Sequence, residues 1–182
     1  QAIDILINIG LACYELNNLD RAVAYLRRAE DLHSRLSEVY YSLGLVYEKK
    51  NNIAKALTYY NHAIDADPTN TDALVNLGNI YLQQNKFHNA KNIYEKALNT
   101  RPKDPNISHS LGVAWTKLDK IDAAIACYLN AEKLHSKNSL TYYNLGFLYS
   151  KKFKYKEAIL SLKKAIKLNS NVTKYFYNLA WY

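Results

Sequence analysis

All five glycines of the chain, Gly10, Gly44, Gly78, Gly112 and Gly146, stand 34 residues apart, and no other feature restricts the fold as much. Twelve residues after each glycine stands an alanine: Ala22, Ala56, Ala90, Ala124 and Ala158. Seven further on stands another: Ala29, Ala63, Ala97, Ala131 and Ala165. A fixed period in this range is the signature of an array of supersecondary units, each of which buries its apolar face against its neighbours.

With the glycine as position 8, position 7 reads Ile9, Leu43, Leu77, Leu111 and Leu145. Position 11 reads Cys13, Tyr47, Tyr81, Trp115 and Tyr149, and position 24 reads Leu26, Tyr60, Tyr94, Tyr128 and Leu162. Positions 4, 7, 8 and 11 share one face of a first helix, and positions 20, 24 and 27 share one face of a second. Glycine at 8 and alanine at 20 and 27 let the two axes approach to about 8–9 Å. A mid-helix glycine costs about 1 kcal/mol relative to alanine, so five of them imply close packing. The repeats run 3–36, 37–70, 71–104, 105–138 and 139–172, and 173–182 opens a sixth. Asn17-Asn18, Asn51-Asn52 and Asn85-Lys86 fall between first and second helices. Asp67-Pro68 and Arg101-Pro102 close second helices, because proline cannot continue one. Asp104-Pro105 reads as an N-cap followed by proline at the first helical position.

This spacing resembles the tetratricopeptide repeat family across essentially the whole chain. Leu74 to Tyr81 (LVNLGNIY) and Tyr142 to Tyr149 (YYNLGFLY) carry the resemblance most closely. It implies an all-α fold, a right-handed superhelical solenoid of antiparallel helix pairs whose first helices line a concave groove. The departures are Ser108 at position 4, Cys13 at position 11, and serine in place of proline at Ser34, Ser136 and Ser170. They are expected to loosen single hairpins without threatening the fold. The chain begins at Gln1 and ends within a sixth repeat, and so reads as a segment of a longer protein.

Positions 2, 6, 9 and 13 form a stripe turned away from the packed face, with position 5 beside it. Position 6 is a small polar residue throughout: Asn8, Ser42, Asn76, Ser110, Asn144 and Asn178. An asparagine amide both donates and accepts, so a row of them can pair with the peptide units of an extended ligand. The same amides could instead bridge neighbouring repeats. Position 5 adds Tyr41, His109, Tyr143 and Tyr177, and position 9 adds Asn79, Phe147 and Trp181. These side chains either clamp a ligand or pack on the adjacent repeat. A carboxylate clamp for acidic chaperone tails, as in some members of the family, needs lysine at position 5. None stands there, so docking of such a tail is not expected.

The net charge of +8 is concentrated at one end. Residues 139–182 hold eight lysines against Glu157 alone, whereas residues 1–138 are nearly balanced. Lys151, Lys152, Lys154 and Lys156 crowd a turn, and Lys163, Lys164 and Lys167 follow on the next helix. A basic patch of this kind steers acidic partners, lipid headgroups or nucleic acid, but its place on the turn and outer helix favours a solvated surface.

No phosphate loop, nucleophile elbow or triad is present, and the histidines and the two cysteines, Cys13 and Cys127, lack metal-ligand spacing. No enzyme activity, cofactor or metal is expected. No apolar run is long enough to span a membrane. RNA binding is disfavoured, since RNA-reading helical-hairpin arrays usually repeat at 35 residues and lack this glycine–alanine pattern. The leading function is a protein–protein interaction scaffold that holds an extended or helical peptide in its groove. One alternative is a substrate-selecting arm of a larger enzyme, because the asparagine-bearing repeats resemble those of O-linked N-acetylglucosaminyltransferases. Another is self-association through uncapped ends, suggested by the apolar run Tyr175, Phe176, Tyr177, Leu179 and Trp181. Cytoplasm is the default compartment.

Overall fold

The structure is a computed structural model that describes residues 2–32 and 36–181. The departure read at Ser34 lies outside the described residues, as do Gln1 and Tyr182. Among the described residues there are eleven helices and no strand. Two compact units are distinguishable, residues 1–84 and 85–182, and the division falls in a turn inside the third 34-residue stretch.

The first unit contains α1 (Ala2–Glu15), α2 (Leu19–Leu32), α3 (Ser37–Lys49), α4 (Ile53–Ala66) and α5 (Thr71–Gln83). Consecutive helices pack on one another, and α1 also meets α3. The second unit contains α6 (Phe87–Thr100), α7 (Pro105–Lys117), α8 (Ile121–Lys133), α9 (Ser139–Lys151), α10 (Tyr155–Leu168) and α11 (Thr173–Trp181), with α6 through α11 packed in sequence.

The turns follow from local chemistry. At the end of α1 Asn17 adopts a left-handed backbone with φ 58°, and the Asn18 amide reaches back to the Cys13 carbonyl at 2.8 Å. Asn51 and Asp119 repeat this geometry, with Asn52 bonded to Tyr47 and Lys120 to Trp115. These are left-handed helix stops, and asparagine and aspartate tolerate them better than most residues. The next first helices begin on side-chain caps. Asn70 accepts from the Ala73 amide at 3.0 Å, and Asp104 accepts from the Asn106 amide at 2.8 Å with Pro105 beginning α7.

All ten repeated alanines are fully buried. Gly10, Gly44, Gly112 and Gly146 each face the position-24 side chain, and Gly10 and Gly146 also face the carbonyl of the position-20 alanine. A Cβ placed on Gly44 would lie 2.5 Å from the Tyr60 ring, and one on Gly112 would lie 2.7 Å from the Tyr128 ring. At Gly10 the nearest obstacle is Leu26, and at Gly146 Leu162 and the Ala158 carbonyl are equally near at 3.1 Å. Close approach thus serves the large position-24 side chain, which lies flat against the glycine.

Two polar departures from the repeat pattern are compensated. Ser108 is buried, but its hydroxyl accepts from Asn130 at 2.9 Å and donates to the Asp104 carbonyl at 3.3 Å. Ser136 is buried as well. Its Oγ accepts from the Asn138 amide at 3.2 Å and meets Thr141 Oγ1 at 3.3 Å, and its carbonyl accepts from the Tyr142 hydroxyl. The loosening expected at these positions is therefore offset by hydrogen bonds.

Candidate functional site

The first helices carry the candidate stripe, and each unit presents its own part of it. In the first unit Asn8 is exposed on α1. Ser42 on α3 is only 1% exposed, which removes it from any ligand-contacting set. On α5 Asn76 and Asn79 are half-buried. The Asn76 amide donates to the Tyr60 hydroxyl at 3.4 Å, and that hydroxyl donates to Glu48 Oε2 at 2.6 Å. Asn76 also bonds the Tyr41 hydroxyl, and the Tyr41 ring sits 6.1 Å from that of Tyr60. Burial, reinforced by the bond to Glu48, drives the Tyr60 pKa far above the ordinary tyrosine value.

The second unit repeats the connection. Asn144 on α9 donates to the Tyr128 hydroxyl at 3.1 Å, and that hydroxyl meets Thr116 Oγ1 at 3.3 Å. Ser110 on α7 bonds the Tyr94 hydroxyl. Burial raises Tyr94 well above the usual range and pushes Tyr128 up to about 12. A position-6 side chain thus meets the tyrosine 16 residues earlier wherever that residue is tyrosine. Where position 24 is leucine the arrangement changes. Ser42 is buried after Leu26, and Asn178 after Leu162 turns instead to the Tyr143 hydroxyl at 3.2 Å.

These amides are partly committed to joining hairpins. Each bond uses one amide hydrogen. The Asn144 and Asn178 oxygens have no other partner among the described residues. His109 is drawn inward as well. One ring nitrogen, Nδ1, meets Thr141 Oγ1 at 2.9 Å, the ring lies 5.5 Å from that of Tyr128, and burial lowers its pKa. Tyr143 stacks on Tyr175 at 5.1 Å and has the Lys174 ammonium 5.0 Å from its ring centre. More of Phe147 and Tyr177 is open, at 38% and 67% exposure.

Sequence reasoning missed the tyrosine hydroxyls and their partners Glu48 and Thr116. Position 6 is serine or asparagine after leucine and after tyrosine alike, so the residue types carry no signal and only the constant 16-residue spacing could have pointed to the pair. It also missed Phe153. Position 15 reads Asn17, Asn51, Asn85 and Asp119 before Phe153, and all five have φ between 54° and 59°. A large apolar residue there is strained by roughly 1–2 kcal/mol.

Three of the seven lysines of the basic patch are ion-paired across hairpins: Lys152 with Asp122, Lys164 with Glu132, and Lys151 with Asp119 at 3.5 Å. Lys154, Lys156, Lys163 and Lys167 are exposed. Among the described residues no group of three or more His, Cys, Asp or Glu could hold a metal ion, and no helix is long and apolar enough to cross a membrane.

Family models described as tetratricopeptide repeat match residues 6–71, 47–111 and 139–172, and one described as TPR repeat matches 116–152. The chain belongs to the tetratricopeptide repeat family. Solved TPR-like structures superpose over most of its length. MamA (41-end) from Desulfovibrio magneticus RS-1 is 19% identical, with a TM-score of 0.82 over 93% of this chain and 96% of that one. YrrB, described as a TPR protein with an unusual peptide-binding site, is 23% identical, with a TM-score of 0.82 over 98% and 91%. PilF of Pseudomonas aeruginosa is 19% identical, with a TM-score of 0.84 over 96% and 79%. At these identities the likeness speaks to the TPR fold alone. No curated protein matches the sequence.

Proposed function

We propose that this chain is a protein-interaction scaffold that takes an extended or helical peptide segment against the first helices of its hairpins. TPR proteins generally act as interaction scaffolds, and YrrB is a family relative in fold with a described peptide-binding site. The observation that carries the reading lies in the second unit. Exposed Phe147 and Tyr177 stand on α9 and α11 beside Asn144 and Asn178, whose bonds to tyrosine hydroxyls fix the amides in place. Rigid polar groups beside open rings suit a peptide, because the rings supply apolar contact and the preset amides supply backbone hydrogen bonds at little entropic cost. In the first unit Asn8, Asn76 and Asn79 with Tyr41 would serve the same role.

The role is binding rather than catalysis. Burial pushes the Cys127 thiol up to about 11, which makes it a poor nucleophile near neutrality. His109, the histidine on the stripe, is tied to Thr141.

The test begins with a peptide selected on the intact chain from a displayed library. Replacing both Phe147 and Tyr177 by alanine is expected to weaken its binding by tenfold or more, measured by fluorescence anisotropy, with helicity unchanged. Undiminished affinity in that double variant would place the ligand elsewhere and sink the proposal.

A further inference from the structure

A second surface lies at the turn between α9 and α10, where residues 151–156 read Lys-Lys-Phe-Lys-Tyr-Lys. Phe153 occupies the left-handed backbone that asparagine or aspartate occupies in the other hairpins, and it is 78% exposed. Neither local conformation nor packing in the fold favours phenylalanine there. Its ring meets Tyr155 edge-on, with centroids 6.3 Å apart and planes at 77°. Trp181, 77% exposed, borders one surface depression together with Lys151 and Tyr155. Three aromatic side chains therefore crowd one edge of the second unit.

The surrounding charge is largely available. Lys154, Lys156, Lys163 and Lys167 have no ion-pair partner among the described residues, in contrast to the paired Lys151, Lys152 and Lys164. On α10, Lys156, Leu160, Lys163 and Lys167 follow at i, i+4, i+7 and i+11 and so share one outward face, with Leu160 exposed among them. Long lysine stems can lie along apolar material while their ammonium groups reach anionic headgroups. Tyrosine and tryptophan favour the same interfacial depth, with the polar end wet and the ring in the acyl boundary.

From this juxtaposition we propose that the α9–α10 turn, with the end of α11 and the outer face of α10, docks on bilayers containing acidic phospholipids. Phe153 and Trp181 enter the headgroup–acyl boundary, and Lys154, Lys156, Lys163 and Lys167 meet the lipid phosphates. The attraction is that of a basic cluster for an anionic leaflet and weakens with salt. Nucleic acid is the weaker fit. Base stacking needs ring faces presented along a groove, whereas Phe153 and Tyr155 meet edge to face around a turn tip.

The experiment is vesicle co-sedimentation of the intact chain, using phosphatidylcholine alone or mixed with phosphatidylserine, with Trp181 fluorescence, read in a Trp115→Phe background, as a second readout. The expected result is partition into the phosphatidylserine vesicles at least tenfold above the neutral ones, with a blue-shifted emission. Phe153→Asn and the pair Lys154→Glu/Lys156→Glu should each lower that partition about tenfold, with circular dichroism unchanged. Equal partition by wild type and Phe153→Asn would overturn the proposal. So would failure to bind phosphatidylserine vesicles, including the case in which a single-stranded RNA oligonucleotide is bound instead.

Discussion

Phe153 illustrates how much a single position can hold. Asparagine accepts the left-handed conformation at Asn17, Asn51 and Asn85 because its short polar side chain is compatible with it, and phenylalanine lacks that compensation. Phe153→Asn is accordingly expected to stabilise the chain by about 1 kcal/mol, read as a higher urea midpoint at unchanged slope. A variant that is more stable yet weaker in vesicle binding separates the two roles of the residue. Ser108 and Ser136 show the converse case. Each places a hydroxyl in the interior, and each hydroxyl finds partners in a loop or helix end. Sequence alone flags such residues as irregular, because the partners Asn130 and Thr141 are set by folding.

At the scale of the element, the helical hairpin depends on glycine at position 8 opposite a large residue at position 24. Alanine would improve helix propensity by about 1 kcal/mol, and overpacking would cost about 1–3 kcal/mol, so local clearance decides the sign. A Cβ on Gly44 meets ring carbons of Tyr60 at 2.5 Å, and the hydroxyl of that ring is anchored by Glu48. One on Gly146 meets Leu162 Cγ and the Ala158 carbonyl at 3.1 Å. Thermal unfolding should therefore show Gly44→Ala losing about 1–2 kcal/mol and Gly146→Ala staying near neutral. Equal losses at the two sites would show that clearance at position 24 is not what the glycine protects. The existence of the hairpins was legible because helix faces impose a fixed spacing on small and large residues. The identity of the glycine's neighbour was less so, because Ala22 and Leu26 or Ala56 and Tyr60 occupy one helical face, and only three-dimensional packing says which comes closest.

At the scale of the whole molecule, both units bury tyrosines whose hydroxyls titrate above the normal value of about 10. Tyr60, Tyr94 and Tyr128 are neutral in the folded chain, and burial is the main cause of each shift. Below pH 10 the folded and unfolded chains hold these protons equally, so the stabilisation is complete. Above it the unfolded chain releases protons that the folded chain keeps. Stability then falls by about 1.4 kcal/mol per pH unit for each such tyrosine, until the folded value is passed. Urea midpoints should hold steady with respect to these groups up to about pH 9 and decline steeply at higher pH. Tyr128→Phe should flatten part of that decline.

The 34-residue pattern by itself determined the all-α architecture and the helical faces, because burial in paired helices imposes a fixed spacing on the small and large residues within each period. It also placed the lysine-rich end and the asparagine stripe, since both follow from counting along the chain. Only the tertiary structure decided what those groups do. It spent one hydrogen of Asn76 and Asn144 on buried tyrosines, withdrew Ser42 and His109, paired three lysines and left Phe153 in water. Nor does anything in the unbroken period mark the division at residue 84. A repeat fixes which face a side chain occupies, whereas its partners depend on distances between helices that the spacing does not contain.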